Sequence, residues 1–274
     1  KKQPDEQKKE ETIKNLFNNK FHNKRFIKNY KKNKGKISLL FLTHNMPEKT
    51  KTSLESFKKA LNRKDIKEML ILDNNSESET LNYLNYLEKN KKIKIIYSKK
   101  NLGVCKARDI LFKKAKGEII FSIDSDAILL NEKFFDLGKM ILNDNKIGIC
   151  GPIGSIFNSW ETGDHTDINL NYSGEIDHIS GCCQIFRKKI LKKVSLDLKF
   201  SPFWYEDVDF CFQIKNLGLK VYKFDPQDTF FHEWNHGGTM FPGSFEEKHE
   251  IFRKKWENKI KLRLININQK SNIL

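Results

Sequence analysis

The chain has 274 residues, with 51 Lys+Arg against 35 Asp+Glu, a formal net charge of +16 and a pI near 9.4. That length buries a sizeable core and suits one α/β domain with appendages, while an aromatic content of 12%, including 21 Phe, excludes a wholly disordered chain. The charge is uneven: residues 1–36 carry net +9, residues 244–274 net +4 and residues 37–243 only +3, so basic ends flank a nearly balanced middle and no nucleic-acid partner is expected.

Residues 9–31 have helical spacing, with Ile13, Leu16, Phe17, Phe21, Ile27 and Tyr30 on one half of the wheel and Phe26 off it. Two readings stand side by side: a helix packed on the main domain, and a basic amphipathic helix resting on an anionic membrane surface. Lys34-Gly35-Lys36 ends the pattern. Residues 37–42 (ISLLFL) then predict a buried strand, residues 50–62 a helix through Leu54, Phe57 and Leu61, and residues 69–72 a second strand stopped by Asp73-Asn74-Asn75-Ser76. Residues 78–90 predict a helix, 93–97 a third strand, 103–115 a helix ended by Gly117, and 118–123 a fourth strand running into Asp124-Ser125-Asp126. Alternating helices and fully apolar strands predict a parallel sheet covered on both faces. Ligands of such sheets collect at the carboxyl ends of strands, where Thr43, Asp73 and Asp124-Ser125-Asp126 lie.

The second half is less regular. Residues 151–177, rich in Gly, Asn, Asp and Ser, predict loops with short strands; 178–187 predict a strand, 188–194 a short helix, 206–217 a helix ended by Gly218, and 221–224 a strand. Residues 244–264 predict a carboxyl-terminal helix, with Ser244 and Glu247 as its capping box. The organisation expected is a basic extension (1–35), a catalytic domain (36–243, with a nucleotide-binding half to 127 and an acceptor-binding half after it) and a basic terminal helix (244–274).

No run approaches the roughly 18 apolar residues of a membrane span, and the first residues carry no apolar leader segment. Five cysteines (Cys105, Cys150, Cys182, Cys183, Cys211) without C-x-x-C spacing predict buried thiols in a reducing, cytoplasmic compartment.

Four constellations carry chemistry. Asp124 and Asp126 place two mutually repelling carboxylates after a buried strand, and a divalent cation bound with phosphates removes that repulsion; a solvated Asp-rich turn is the plainer reading. Glu206-Asp207 follows Phe203-Trp204-Tyr205. As a structural feature this is an acidic helix start; as a functional one it is a carboxylate base beside Trp204 and Tyr205, rings that can stack on a sugar. His232-Glu233-Trp234-Asn235-His236 matches H-E-x-x-H, but Gly237-Gly238 follows at once, so the helix that a zinc protease requires is not expected, and a single His there can instead join the metal at Asp126. Lys106 and Arg108 follow a turn glycine on a predicted helix, where Arg can pair with a diphosphate or sit on a solvated face.

These residues converge. ISLLFLTHN, LILDNNSESET, NLGVCKARDILFKKAKGEIIFSIDSD, SGCCQIFRKK, FWYEDVDFCFQIKNLGLKVY and a following His occur in that order, and residues 37–240 thereby resemble family 2 glycosyltransferases with the GT-A fold, especially their bacterial rhamnosyltransferase-like branch. The resemblance implies a mixed, mostly parallel sheet flanked by helices. It implies an inverting, metal-dependent transfer from a UDP- or dTDP-type nucleotide sugar to the hydroxyl of a glycan or other acceptor, with Mn2+ or Mg2+. It implies that Thr43 begins the nucleotide site, that Asp73 and Asn74 read the base, that Arg108 lies near the diphosphate, and that Asp124 faces the ribose, with Ser125 in the same nucleotide-sugar site. It further implies Asp126 and His232 as metal ligands, Glu206-Asp207 as the catalytic pair with Asp207 the base, and Gly181 and Cys182 as lining of the acceptor pocket with Trp204 and Tyr205 beside them. The chain departs from the pattern at Asn74, where many members carry a second Asp. Apart from the resemblance, the basic terminal helices make a peripheral position on the cytoplasmic face of a membrane a further expectation. A nucleotidyltransferase would need a Gly-rich phosphate loop, which Thr43-His44-Asn45-Met46-Pro47-Glu48 is not; a zinc protease and a basic nucleic-acid-binding or scaffold protein are the remaining rivals.

Overall fold

The computed structural model describes residues 35–157, 163, 165–232 and 244–256. The helix expected over 9–31 and the part of the terminal helix beyond Trp256 lie outside the described residues, as do Glu233 and His236.

The first half is a run of strand–helix units: β1 (Ile37–Thr43), α1 (Pro47–Lys58), β2 (Ile66–Asp73), α2 (Ser78–Leu87), β3 (Ile93–Tyr97), α3 (Val104–Lys114) and β4 (Ile119–Asp124). β1 pairs in parallel with both β2 and β4, and β2 with β3. Side-chain alternation explains why these strands are apolar throughout. Ile37, Leu39 and Phe41 of β1 and Ile119, Phe121 and Ile123 of β4 enter one core layer, with Leu54 and Phe57 of α1. Leu40 of β1 and Ile120 of β4 enter the other layer, with Leu111 and Phe112 of α3. A residue on either face therefore leaves water, worth about 1.5–3 kcal/mol for each large apolar side chain.

The second half contributes β5 (Ala127–Leu129), α4 (Lys133–Ile141), β6 (Ile147–Gly151), β7 (Gly154–Phe157), β8 (His165–Asp167), β9 (Gly174–Glu175), β10 (His178–Ile179), β11 (Cys183–Arg187), α5 (Glu206–Asn216), β12 (Lys220–Lys223), β13 (Phe230–His232) and α6 (Ser244–Trp256). One eight-stranded sheet, ordered β3-β2-β1-β4-β11-β6-β12-β9, crosses both halves. It is mixed: β11 is antiparallel to β4 and β6, and β9 to β12. Two small antiparallel sheets, β10-β7-β8 and β13-β5, complete the fold.

Three local expectations change. The strand expected over 178–187 is two strands in different sheets, broken at residues 180–182, where Gly181 turns its backbone toward two side chains described below. The helix expected over 188–194 is a 3-10 turn at Lys188–Lys192. Residues 127–150, which carry no assigned element in the sequence reading, hold β5, α4 and β6. All five cysteines are buried and free. Among the described residues no helix is long and apolar enough to cross a membrane.

Candidate active site

Parallel strands joined by helices end on one edge, and the register sets which residues meet there. Thr43 stands opposite Asp73, and Leu42 opposite Asp124, so β1, β2 and β4 deliver Thr43, Asp73 and Asp124 to the same rim. Thr43 is buried and structural: its hydroxyl lies 3.0 Å from that of Thr50, and its carbonyl accepts from the Asn74 backbone at 2.8 Å. Asp73 is buried with Oδ2 accepting from the Ser76 backbone at 3.2 Å, while Oδ1 accepts no hydrogen bond among the described residues. Asn74 is fully engaged by the protein, donating to Asn101 Oδ1 and accepting from the Leu102 backbone, each at 2.8 Å. Of the two residues expected to read a base, Asp73 keeps an open acceptor, whereas Asn74 pins the loop ahead of α3.

After β4 the chain turns through Ser125 into β5, and β13 pairs with β5 so that His232 stands opposite Ala127. Asp124, Asp126 and His232 are thereby gathered, with one ligand atom from each lying within 4.8 Å of the others. Asp124, expected to face a ribose, thus also stands in the cluster that could hold a metal ion. Asp126 Oδ1 is buried and accepts no hydrogen bond among the described residues, although His232 Nε2 is 3.1 Å away. Two carboxylates and an imidazole that converge, with Asp126 Oδ1 accepting no hydrogen bond among the described residues, fit a divalent cation of the Mn2+ or Mg2+ type. His232 ends a strand, so the zinc-protease match lacks its helix at that residue.

Arg108, on α3, is buried at 4% exposure and reaches across to three groups. Nη2 pairs with Asp124 Oδ1 and donates to the Gly181 carbonyl at 2.8 Å, and Nη1 lies 3.4 Å from Glu206 Oε1. Burial alone would lower its pKa; the Asp124 and Glu206 carboxylates outweigh that and raise it. Burial pushes the Asp124 carboxyl up, Arg108 opposes this and Asp126 adds to it.

On the other side, α5 begins at Glu206-Asp207. Its approach is fixed by Gly103, at φ +74, whose absent Cβ would stand 2.6 Å from Pro202; the Cys105 backbone donates to the Pro202 carbonyl at 3.1 Å. Asp207 Oδ2 accepts from the Gly181 backbone and Oδ1 from the Val208 backbone, both at 2.8 Å. Glu206 is buried at 6% exposure. Burial and the adjacent Asp207 charge outweigh Arg108 and push its carboxyl up to about 8. Cys182 packs in the core, and only its carbonyl, accepting from the Asp124 backbone at 2.9 Å, reaches the rim. Trp204 stays partly exposed against Phe203 and Phe245. Tyr205 is buried under α6, against Phe245, His249 and Phe252, and offers no free ring face.

The sequence reading missed two contributors. His178 is buried beside His165 and Phe157, and burial holds its imidazole below its ordinary pKa while Asp207 opposes that shift. Asn101 accepts from both Asn74 and the Gly103 backbone, closing the turn into α3. The first has no local sequence signal; the second is a turn Asn two residues before a Gly.

The comparisons with known proteins bear on this arrangement. The family description "Glycosyl transferase family 2" matches residues 38–195, more than half of the chain. A curated relative, an uncharacterized glycosyltransferase of Haemophilus influenzae, is 31% identical over 67 residues, covering 24% of this chain and 27% of that relative's length. Among solved structures, GalNAc-T7 with UDP, GalNAc and Mn2+ superposes with a TM-score of 0.65 at 15% identity, over 76% of this chain and 45% of that one. The mannosyltransferase PcManGT from Pyrobaculum calidifontis, in complex with GDP-Man and Mn2+, gives 0.56 at 13% identity, over 74% and 58%. S. aureus TarS 1-349 gives 0.54 at 15% identity, over 86% and 77%. The structural likenesses establish the GT-A fold, and the matched residues run from β1 through the acidic rim to β11, so the chain belongs to glycosyl transferase family 2.

Proposed function

We propose that the protein is a metal-dependent, inverting glycosyltransferase that moves a sugar from a UDP- or dTDP-type donor to an acceptor hydroxyl, most simply that of a glycan. One observation carries this reading: the Asp124–Asp126–His232 cluster and the Asp207 carboxylate are held on opposite sides of a single buried guanidinium, Arg108, through Asp124 on one side and Gly181 on the other.

Mn2+ or Mg2+ held by Asp124, Asp126 and His232 supplies charge neutralisation for a leaving nucleoside diphosphate. Asp73 Oδ1, buried and without a hydrogen-bond donor among the described residues, accepts the ring N–H of uracil or thymine. Asp207 takes the proton of the acceptor hydroxyl. The oxygen so activated bonds to the anomeric carbon from the face opposite the diphosphate, the bond from that carbon to the phosphate oxygen breaks, and configuration inverts. The two backbone N–H groups on Asp207 fix its rotamer before substrate arrives, which is a positioning contribution. Trp204 offers the exposed ring of the acceptor side. Five buried free thiols support a reducing, cytoplasmic compartment.

Calorimetric titration of UDP in the presence of Mn2+ tests the donor half. Binding is expected for the wild type and a loss of at least tenfold for Asp126→Ala and for His232→Ala. Metal-independent UDP binding that both variants retain would remove the role given to the cluster.

A further inference from the structure

At the edge opposite the rim, the start of β4 and the end of β11 open into a groove of about 520 Å3. Half-buried Leu191 gives it apolar surface above the buried Phe112 and Ile119, and Lys113, Lys116, Lys188, Lys189 and Lys192 stand around it, Glu118 being its one acidic residue. The lysines come from two segments about 75 residues apart in sequence, 113–116 and 188–192, so no linear count of charge reveals them. They differ in freedom. Lys188 donates to the Ala115 carbonyl and Lys113 pairs with Asp109 at 2.6 Å. Lys189 and Lys192 are exposed and have no ion pair among the described residues. Lys116 faces Lys94 of β3, and that ammonium holds Lys94 below its ordinary pKa. Like charges crowded at an exposed edge are relieved by an anion.

A second observation concerns the chain path. Lys36 enters β1 at this same edge, its backbone nitrogen donating to Glu118 Oε2 at 2.6 Å. Lys36, itself exposed, brings a further basic residue to this edge.

We propose that this groove is a docking surface for an anionic phospholipid bilayer, with lipid phosphates on Lys116, Lys189 and Lys192 and acyl-proximal apolar surface on Leu191. Charge complementarity and the apolar floor together fit an amphiphilic anion better than a purely ionic one. The catalytic rim lies at the far end of β4, five residues on, or about 17 Å at the rise of a strand. Docked in this way the protein points its active site away from the membrane, toward acceptors that extend past the headgroups.

The test uses the full chain and its partition onto sedimented vesicles, comparing pure phosphatidylcholine with phosphatidylcholine containing phosphatidylserine. The groove variant is Lys116→Gln/Lys189→Gln/Lys192→Gln. The control, Lys51→Gln/Lys59→Gln/Lys133→Gln, removes the same charge from α1, the turn after it and α4, on the opposite face of the sheet. Binding to the anionic vesicles is expected for the wild type, with a loss of at least tenfold in the groove variant and less than threefold in the control. Unchanged thermal unfolding of the groove variant shows that it folds. Equal losses in both variants, retention by the groove variant, no wild-type binding, or capture by a soluble polyanionic glycan in place of vesicles would each overturn the proposal.

Discussion

The backbone nitrogen of Gly181 donates to Asp207 Oδ2 over 2.8 Å. The carbonyl of the same residue accepts from Arg108 Nη2, also at 2.8 Å, and Arg108 in turn pairs with Asp124. A single peptide turn between β10 and β11 thus joins the carboxylate expected to deprotonate the acceptor to the carboxylates expected to hold the metal. The geometry of one side is not independent of the other.

Gly181→Ala tests that joint. A Cβ there overlaps Arg108 Nη1, and although a guanidinium is the movable end of a side chain, this one is held by Asp124, Glu206 and the Gly181 carbonyl. Overpacking of this kind costs about 1–3 kcal/mol. Urea unfolding is expected to show that loss, and kcat is expected to fall at least tenfold. Turnover at the wild-type level would mean that the seat of Arg108 is unimportant to the reaction.

Glu206 makes stability depend on pH. Its folded carboxyl is raised from 4.5 to about 8 by burial and by Asp207. The folded state therefore keeps a proton that the unfolded chain releases, and stability falls as pH rises through the window from about 4.5 to about 8. Glu206→Gln removes the titration. Between pH 5 and pH 8.5 the unfolding midpoint of the wild type is expected to fall relative to that of the variant. Parallel midpoints across this range would assign the proton elsewhere.

Asp209 anchors the terminal helix. Fully buried, it accepts from Trp256 Nε1 at 3.0 Å, Lys255 Nζ at 2.9 Å and Gln213 Nε2 at 2.7 Å, holding α6 over Tyr205. Asp209→Asn removes the buried charge that Lys255 Nζ and Trp256 Nε1 donate to, leaving Lys255 with Asp197 alone, a loss of about 1–3 kcal/mol. Denaturant unfolding should register it, together with faster proteolysis at α6. Wild-type stability would show that α6 is held by its apolar contacts alone.

Much of the fold is legible in the sequence because its physical signal is local. Residues 37–42 and 119–123 are largely apolar on both faces, as a strand covered on both sides requires, and they lie within the observed β1 and β4. The acidic pair after β4 announces itself by position. What escapes is whatever depends on two distant segments meeting. The break at Gly181 looks like continuous strand, since its turn is set by Arg108, 73 residues away. The stacking expected of Tyr205 fails to appear because α6, 40 residues on, covers its ring. The near-neutral middle of the chain hides a lysine-lined groove for the same reason: two short segments, each unremarkable, fold to one edge.

The most direct measurement is turnover of a panel of UDP-, dTDP- and GDP-linked sugars with Mn2+, scored as nucleoside diphosphate release, for the wild type and for Asp207→Asn. Asn keeps the shape of Asp207 but has one acceptor for two backbone donors and no basicity. The account predicts release from one donor class in the wild type, abolished by EDTA and restored by Mn2+. Asp207→Asn should lower transfer by about 10³-fold while UDP binding changes less than threefold. Release that persists in EDTA, or an Asp207→Asn enzyme as fast as the wild type, would contradict it.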